Sequence, residues 1–252
     1  MPRSLPRFRL FCIPPAGSGA STFDSWGTRV PPDIDICAVR LPARESRILE
    51  PPLTDLASLI QILTQVLQPL FNVPFGFFGH SMGGLVGFEL ARRLRRESLP
   101  MPGHLFISGH RAPTLPARYP QIHDLPDDRF IERLGKVYNT PQSLLQKEEL
   151  IELSLPGLRS DFAICETYVY QHQKALDCPI SVFGGLSDRK VSRDELSAWR
   201  NQTSLSFRLH MLPGNHFFSE GYQKSLLAEL SKDLNQLLGT IDSELSESGL
   251  LV

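Results

Sequence analysis

The sequence has no apolar run approaching the ~20 residues that cross a bilayer, so no membrane-spanning segment is expected. It also has almost no net charge. Lys+Arg number 26 against Asp+Glu 27, a formal −1, which leaves no electrostatic footprint for nucleic acid or for an anionic membrane. Cysteine is sparse: Cys12, Cys37, Cys165 and Cys178 are scattered, with no C-x-x-C pair and no histidine at metal-ligand spacing. Neither a disulfide framework nor a structural metal site is expected, and reduced thiols in a cytoplasmic protein are the simpler reading. The N-terminal stretch is basic but carries Pro and Arg where a signal peptide needs unbroken apolar residues. What is present is ordinary soluble material: 252 residues, 41% of them hydrophobic, sufficient for a sizeable core in a single domain over residues 1–238.

Six short apolar runs read as buried strands: Phe8–Ile13, Ile34–Val39, Phe75–Phe78, His104–Ser108, Pro179–Phe183 and Ser206–Met211. They are near-continuous rather than alternating, as strands covered on both faces should be. Helical patterns lie between them. Leu53, Leu56, Leu59, Ile60, Leu63, Val66, Leu67 and Leu70 paint one helix face; a second helix is expected from Met82 to Arg96 and a third from Ser219 to Leu238. The alternation predicts an α/β fold with a mostly parallel central sheet and helices on both faces. From about Leu115 to Gln173 the rhythm breaks, with helical segments and no strand. An insertion of that size exceeds what a connection needs and reads as a helical lid. Breaks at Gly135-Lys136 and Asn139-Thr140-Pro141 are candidate hinges, and Leu134, Val137, Tyr138, Leu144 and Leu145 are candidates for an apolar underside. Residues 239–252, polar and rich in serine and glutamate, are expected to be disordered.

The run Phe75–Phe78 leads into Gly79-His80-Ser81-Met82-Gly83 and then into the second helix. This is G-x-S-x-G in the strand–turn–helix setting that gives the motif its meaning. The turn needs small residues on either side of the serine, and it presents the Ser81 hydroxyl at a helix N-terminus where developing negative charge is favoured. A serine nucleophile needs a base, and the base needs an orienting acid. Of the seven histidines, His80 leaves the turn in another direction and reads as packing, while His104 and His210 lie inside strands. His110, His123 and His172 fall in or beside the insertion. His216 alone follows the last strand, in Leu212-Pro213-Gly214-Asn215-His216, where catalytic loops of α/β sheets lie. The acid is expected at the end of the preceding strand, which is Asp188. Its rival Asp194, between Ser192 and Glu195, looks like a first helical turn. An oxyanion hole needs two backbone N–H groups. Met82 is one candidate; in Pro14-Pro15-Ala16-Gly17 the prolines cannot donate, and Ala16 is favoured over Gly17 for the other.

With these residues assembled, the sequence resembles the type II thioesterases, free-standing α/β-hydrolases that serve polyketide and non-ribosomal peptide synthases. The resemblance runs from about Phe8 to Leu238. It is carried by IPPAGSGAS, RLPARESR, PFGFFGHSMGGLVGFELA, SGHRAP, LPDDRFIERL, LRSDFAICETYVY, and FGGLSD with LPGNHFF. It implies an α/β-hydrolase fold with Ser81, Asp188 and His216 as triad, Met82 and Ala16 as oxyanion donors, and the helical insertion as lid. It further implies hydrolysis of acyl thioesters on the phosphopantetheine arm of an acyl- or peptidyl-carrier protein, with no cofactor and no metal. The expected state is a monomer binding neither nucleic acid nor membrane. Departures are Ala43 where the family usually has Gly, Ser18 within the PAGG-like loop, and Asn215 before the histidine. The candidate basic residues to meet an acidic carrier are Arg111 and Arg118, ahead of the cluster Arg92, Arg93, Arg95 and Arg96. Two alternatives stand beside this: a product-releasing thioesterase or small-ester hydrolase with the same triad, and a non-catalytic binding protein on the same fold.

Overall fold

A computed structural model of the chain describes residues 6–138, 148–217 and 219–247. Six strands, β1 (Phe8–Ile13), β2 (Ile34–Ala38), β3 (Phe75–His80), β4 (His104–Ser108), β5 (Ile180–Gly185) and β6 (Phe207–Leu212), form one sheet in the order β2-β1-β3-β4-β5-β6. Every pairing is parallel, and β1 lies between β2 and β3 with Phe11 level with Cys37 and Phe77. Among the described residues six α-helices accompany them: α1 (Leu56–Leu67), α2 (Met82–Arg96), α3 (Asp127–Tyr138), α4 (Glu148–Glu166), α5 (Arg193–Ser197) and α6 (Glu220–Glu247).

The near-continuous apolar strands follow from burial on both faces. Phe11, Ile13, Phe77 and Ile107 point to one side, where they pack with Leu59 and Leu63 of α1 and Val86 and Leu90 of α2. Leu10, Cys12, Phe78, Phe106 and Phe183 point to the other, against Leu226, Leu230 and Leu234 of α6. Each such side chain withdrawn from water contributes roughly 1.5–3 kcal/mol. Asp55 caps α1 by accepting from Ser58 N–H at 2.8 Å. Val66, expected on the buried stripe of that helix, is instead 62% exposed.

The stretch between β4 and β5 holds α3 and α4 and has its own apolar cluster of Ile122, Phe130, Leu134 and Leu155, separate from the two sheet cores. Leu134, expected on an apolar underside, lies inside that cluster. Helix α3 passes through Gly135-Lys136 without a break, which removes that pair as a hinge. Residues 139–147 and the side chains of Val137 and Tyr138 lie outside the described residues. Helix α4 spans Pro156, because a proline costs a helix one N–H donor without forbidding its passage. At the C-terminus α6 continues to Glu247, so residues 239–247, expected to be disordered, are helical. Ile241 packs against the α6 side of the sheet core and carries the helix past Leu238.

Candidate active site

The candidate residues lie on three loops at the C-terminal ends of β3, β5 and β6; Asp188 and His216 are in contact, and among the described residues the Ser81 hydroxyl makes no hydrogen bond to either. Ser81 closes β3 and caps α2 with φ 50° and ψ −119°, a left-handed conformation that a non-glycine residue adopts only when its surroundings enforce it. The surroundings are tight. A Cβ on Gly79 would lie 2.0 Å from the Gly83 carbonyl oxygen, and one on Gly83 would lie 2.2 Å from the Ile13 carbonyl oxygen. Ser81 N–H donates to Ser108 O at 2.7 Å, which ties the turn to β4. The Ser81 side chain makes no capping bond to α2, so its hydroxyl is not consumed by the helix it begins.

Asp188 and His216 meet across two loops laced together by backbone bonds. Leu186 N–H donates to Leu212 O at 2.8 Å and Ser187 N–H to Gly214 O at 2.9 Å. Gly185 permits this approach, since a Cβ there would stand 2.6 Å from the Gly214 oxygen. His216 Nδ1 lies 2.9 Å from Asp188 Oδ2, so Nδ1–H donates to the carboxylate and Nε2 is left as the basic nitrogen. The other oxygen, Asp188 Oδ1, accepts from Lys190 N–H at 2.7 Å and Val191 N–H at 3.1 Å. Burial of Asp188 opposes its ionisation, but the His216 contact and the two backbone donors outweigh it and hold the carboxyl below its usual range. Asp194 sits in the first turn of α5, behind Ser192, whose side chain and Glu195 form a capping box. Asn215 accepts from Phe217 N–H at 2.9 Å, a local turn that leaves the His216–Asp188 contact in place.

His80, expected only to pack, does more. Its Nε2–H donates to the His216 carbonyl at 2.9 Å and its Nδ1 accepts from the Ser108 hydroxyl at 2.9 Å. Ser108 Oγ in turn lies 3.1 Å from Tyr222 Oη, so a buried chain of donors runs from α6 to the loop bearing His216. Burial lowers the His80 pKa to about 3, which keeps the ring neutral and its Nε2 a donor. Residue type alone gave no signal of this, because the partners are distant in sequence. His123 pairs instead with Glu166 at 2.8 Å, and His104 with Ser181 at 2.9 Å.

Met82 opens α2 directly after Ser81 and is fully buried. In the loop after β1, Gly17 N–H donates to Asp161 Oδ2 at 2.8 Å and Ser18 N–H to Pro15 O at 3.1 Å. Among the described residues the Ala16 N–H has no partner, so it, rather than Gly17, is available to a ligand. Of the basic residues, Arg92 is buried beside Glu89 and the Gln171 carbonyl, Arg95 donates to Ala175 O at 2.8 Å, and Arg93 pairs with Glu97 at 2.6 Å. That cluster is largely spent internally. Arg111 closes its own loop on the Leu115 and Pro116 carbonyls, whereas Arg118 is exposed and reaches Lys190 O at 3.3 Å, two residues from Asp188. Among the described residues there is no cluster of side chains able to hold a metal ion, all four cysteines are free, and no helix is long and apolar enough to cross a membrane.

Comparison with known proteins agrees with this geometry. Residues 8–234 match the model of the thioesterase domain family. The chain is 43% identical to the gramicidin S biosynthesis protein GrsT of Aneurinibacillus migulanus over 93% of this chain and 92% of that one. Among solved structures, RedJ, a thioesterase from the prodiginine biosynthetic pathway in Streptomyces coelicolor, superposes with a TM-score of 0.83 at 34% identity, covering 90% of this chain and 85% of that one. BorB, a type II thioesterase from the borrelidin biosynthetic cluster, superposes at 0.81 with 31% identity, covering 92% and 94%.

Proposed function

The chain belongs to the thioesterase domain family as a type II thioesterase, and from that premise we propose that it clears acyl groups from carrier proteins by a Ser81–His216–Asp188 triad. Ser81 Oγ attacks the thioester carbonyl as His216 Nε2 takes its proton, and the oxyanion is received by the backbone N–H groups of Met82 and Ala16. His216 then returns the proton to the departing thiol. Water repeats the cycle on the acyl-serine and frees the acid. The leaving thiol, with a pKa of about 8.5, departs readily, so turnover is governed by seating of the substrate more than by bond cleavage. The observation that carries this reading is the 2.9 Å contact between His216 and Asp188, beside a serine held at φ 50°.

The substrate is an acyl group on a carrier's phosphopantetheine arm, in the editing role of polyketide and non-ribosomal peptide assembly, in the cytoplasm. The insertion bearing α3 and α4 acts as the lid, and Arg118 is the basic residue that meets an acidic carrier. The test is hydrolysis of a carrier protein loaded in turn with acetyl, propionyl, medium-chain and aminoacyl groups, beside Ser81→Ala. Release of free acid from several of these, absent in the variant, supports the reading. A cyclised or transferred product would favour a product-releasing enzyme, and no turnover with intact binding would favour a non-catalytic protein.

A further inference from the structure

We propose that Asp161 and Arg44 are positioning residues that orient the oxyanion-hole loop, so that the hole is correctly formed only while α4 is docked. The inference rests on the reading of Ala16 as an oxyanion donor. Asp161 sits on α4, in the insertion between β4 and β5, and its side chain is 1% exposed. Its Oδ2 accepts from Gly17 N–H at 2.8 Å, the amide adjoining the free Ala16 N–H. The same carboxylate is gripped bidentately by Arg44, with Nη1 at 2.9 Å from Oδ2 and Nη2 at 2.8 Å from Oδ1. Arg44 gives two further donors to the two loops themselves. Nη1 reaches the Ser18 carbonyl at 3.1 Å and Nε the Pro42 carbonyl at 3.1 Å.

Apolar contacts on α4 repeat the pattern. Leu158 lies over Gly17, so closely that a Cβ there would stand 2.8 Å from Leu158 Cδ1, and Gly17 itself is at φ +73°. One residue before Leu158, Gly157 rests on Ala43, where a Cβ would meet the Ala43 oxygen at 2.7 Å. The peptide between Pro15 and Ala16, which carries the Ala16 N–H, is therefore held from both sides. Pro14 and Pro15 restrict the chain before it, and Asp161 fixes the amide after it. An oxyanion donor works only if its direction is set before the charge develops. Within the loop Ser18 N–H donates to Pro15 O, the carbonyl of that peptide, and the acceptor that holds the next amide comes from the insertion. Asp161 and Arg44 form a polar fastening between α4 and the loops after β1 and β2, beside the apolar one that Ile164 of α4 makes with the sheet core.

The experiment compares the full-length chain with Asp161→Asn, Arg44→Lys and the double variant Arg44→Met with Asp161→Leu. A single truncation strands a buried charge, whereas paired apolar replacements preserve folding while leaving Gly17 N–H unheld. Each is assayed on an acetyl thioester of N-acetylcysteamine and titrated with an alkylboronic acid, which forms a tetrahedral adduct on the serine. We expect kcat to fall about 10- to 100-fold with KM within about twofold, and boronate affinity to fall in parallel, in variants whose melting temperature is near that of the parent. A folded double variant with parental kcat, or a loss of kcat with unchanged boronate affinity, overturns the inference. If the parent chain binds the boronate no better than Ser81→Ala does, the reading of Ser81 as nucleophile fails instead.

Discussion

Lowering the pH from about 7.5 to about 5 should destabilise this protein through two buried histidines. His80 and His104 are 2% and 7% exposed, and burial lowers their pKa values from 6.5 to about 3 and about 4. Both are also committed as hydrogen-bond donors in the neutral form. His80 Nε2–H serves the His216 carbonyl, and His104 Nε2–H serves Ser181, whose own proton goes to Asp233 at 2.6 Å. As pH falls below 6.5 the unfolded chain takes up these protons and the folded chain does not, so stability is lost with acid until the folded pKa values are reached. At about pH 5 each ring costs about 2 kcal/mol and the two together about 4 kcal/mol. His110, half-buried and lowered to about 4 by burial, adds a smaller amount. Carboxylates held low, such as Asp188 and Asp55, lose their contribution only below about pH 4 and do not confuse the window. Urea denaturation followed by circular dichroism is the assay. With a slope of about 2 kcal/mol per molar urea, the midpoint should drop by about 2 M between the two pH values. His104→Phe, which keeps the stacking on Phe106, should recover about half of that drop. A midpoint that stays level across the window, or a variant with the full parental dependence, would refute the argument.

Ser81→Ala and His216→Ala should each reduce thioester hydrolysis by about 10⁴-fold or more, with Asp188→Asn severe and Asp194→Asn within about twofold of the parent; a sensitive Asp194 with a silent Asp188 would reassign the acid. Gly79→Ala places a methyl 2.0 Å from a backbone oxygen, so the turn must open and activity should fall at least about 100-fold, measured beside the melting temperature. Parental turnover in that variant would mean that the turn tolerates rearrangement. Arg118→Glu should raise KM for an acylated carrier protein several-fold and leave a small acyl thioester unchanged. Equal effects on both substrates would remove Arg118 from the docking surface.

Local sequence determined the parts of this protein whose causes are local. The strands are legible because continuous apolar runs can be buried only between two helical layers, and all six are found where such runs occur. Helix α2 is legible to its ends, since the glycine-flanked serine before Met82 and the arginines at its C-terminus are both local signals. The same holds for Asp188 over Asp194, because Ser192 and Glu195 declare a capping box without help from the rest of the chain. Tertiary structure decided what depends on partners far along the chain. The tail beyond Leu238 is polar and by composition predicts disorder, yet Ile241 packs against the core cluster and the helix persists. His80 reads as filler until Ser108 and His216 are placed on either side of its ring. Arg44 and Asp161 stand 117 residues apart, each unremarkable among neighbours of its own kind, and only the docking of α4 onto two loops makes them one group. A side chain's type limits which bonds it can form, but folding selects the partner, and the partner gives each of these residues its role.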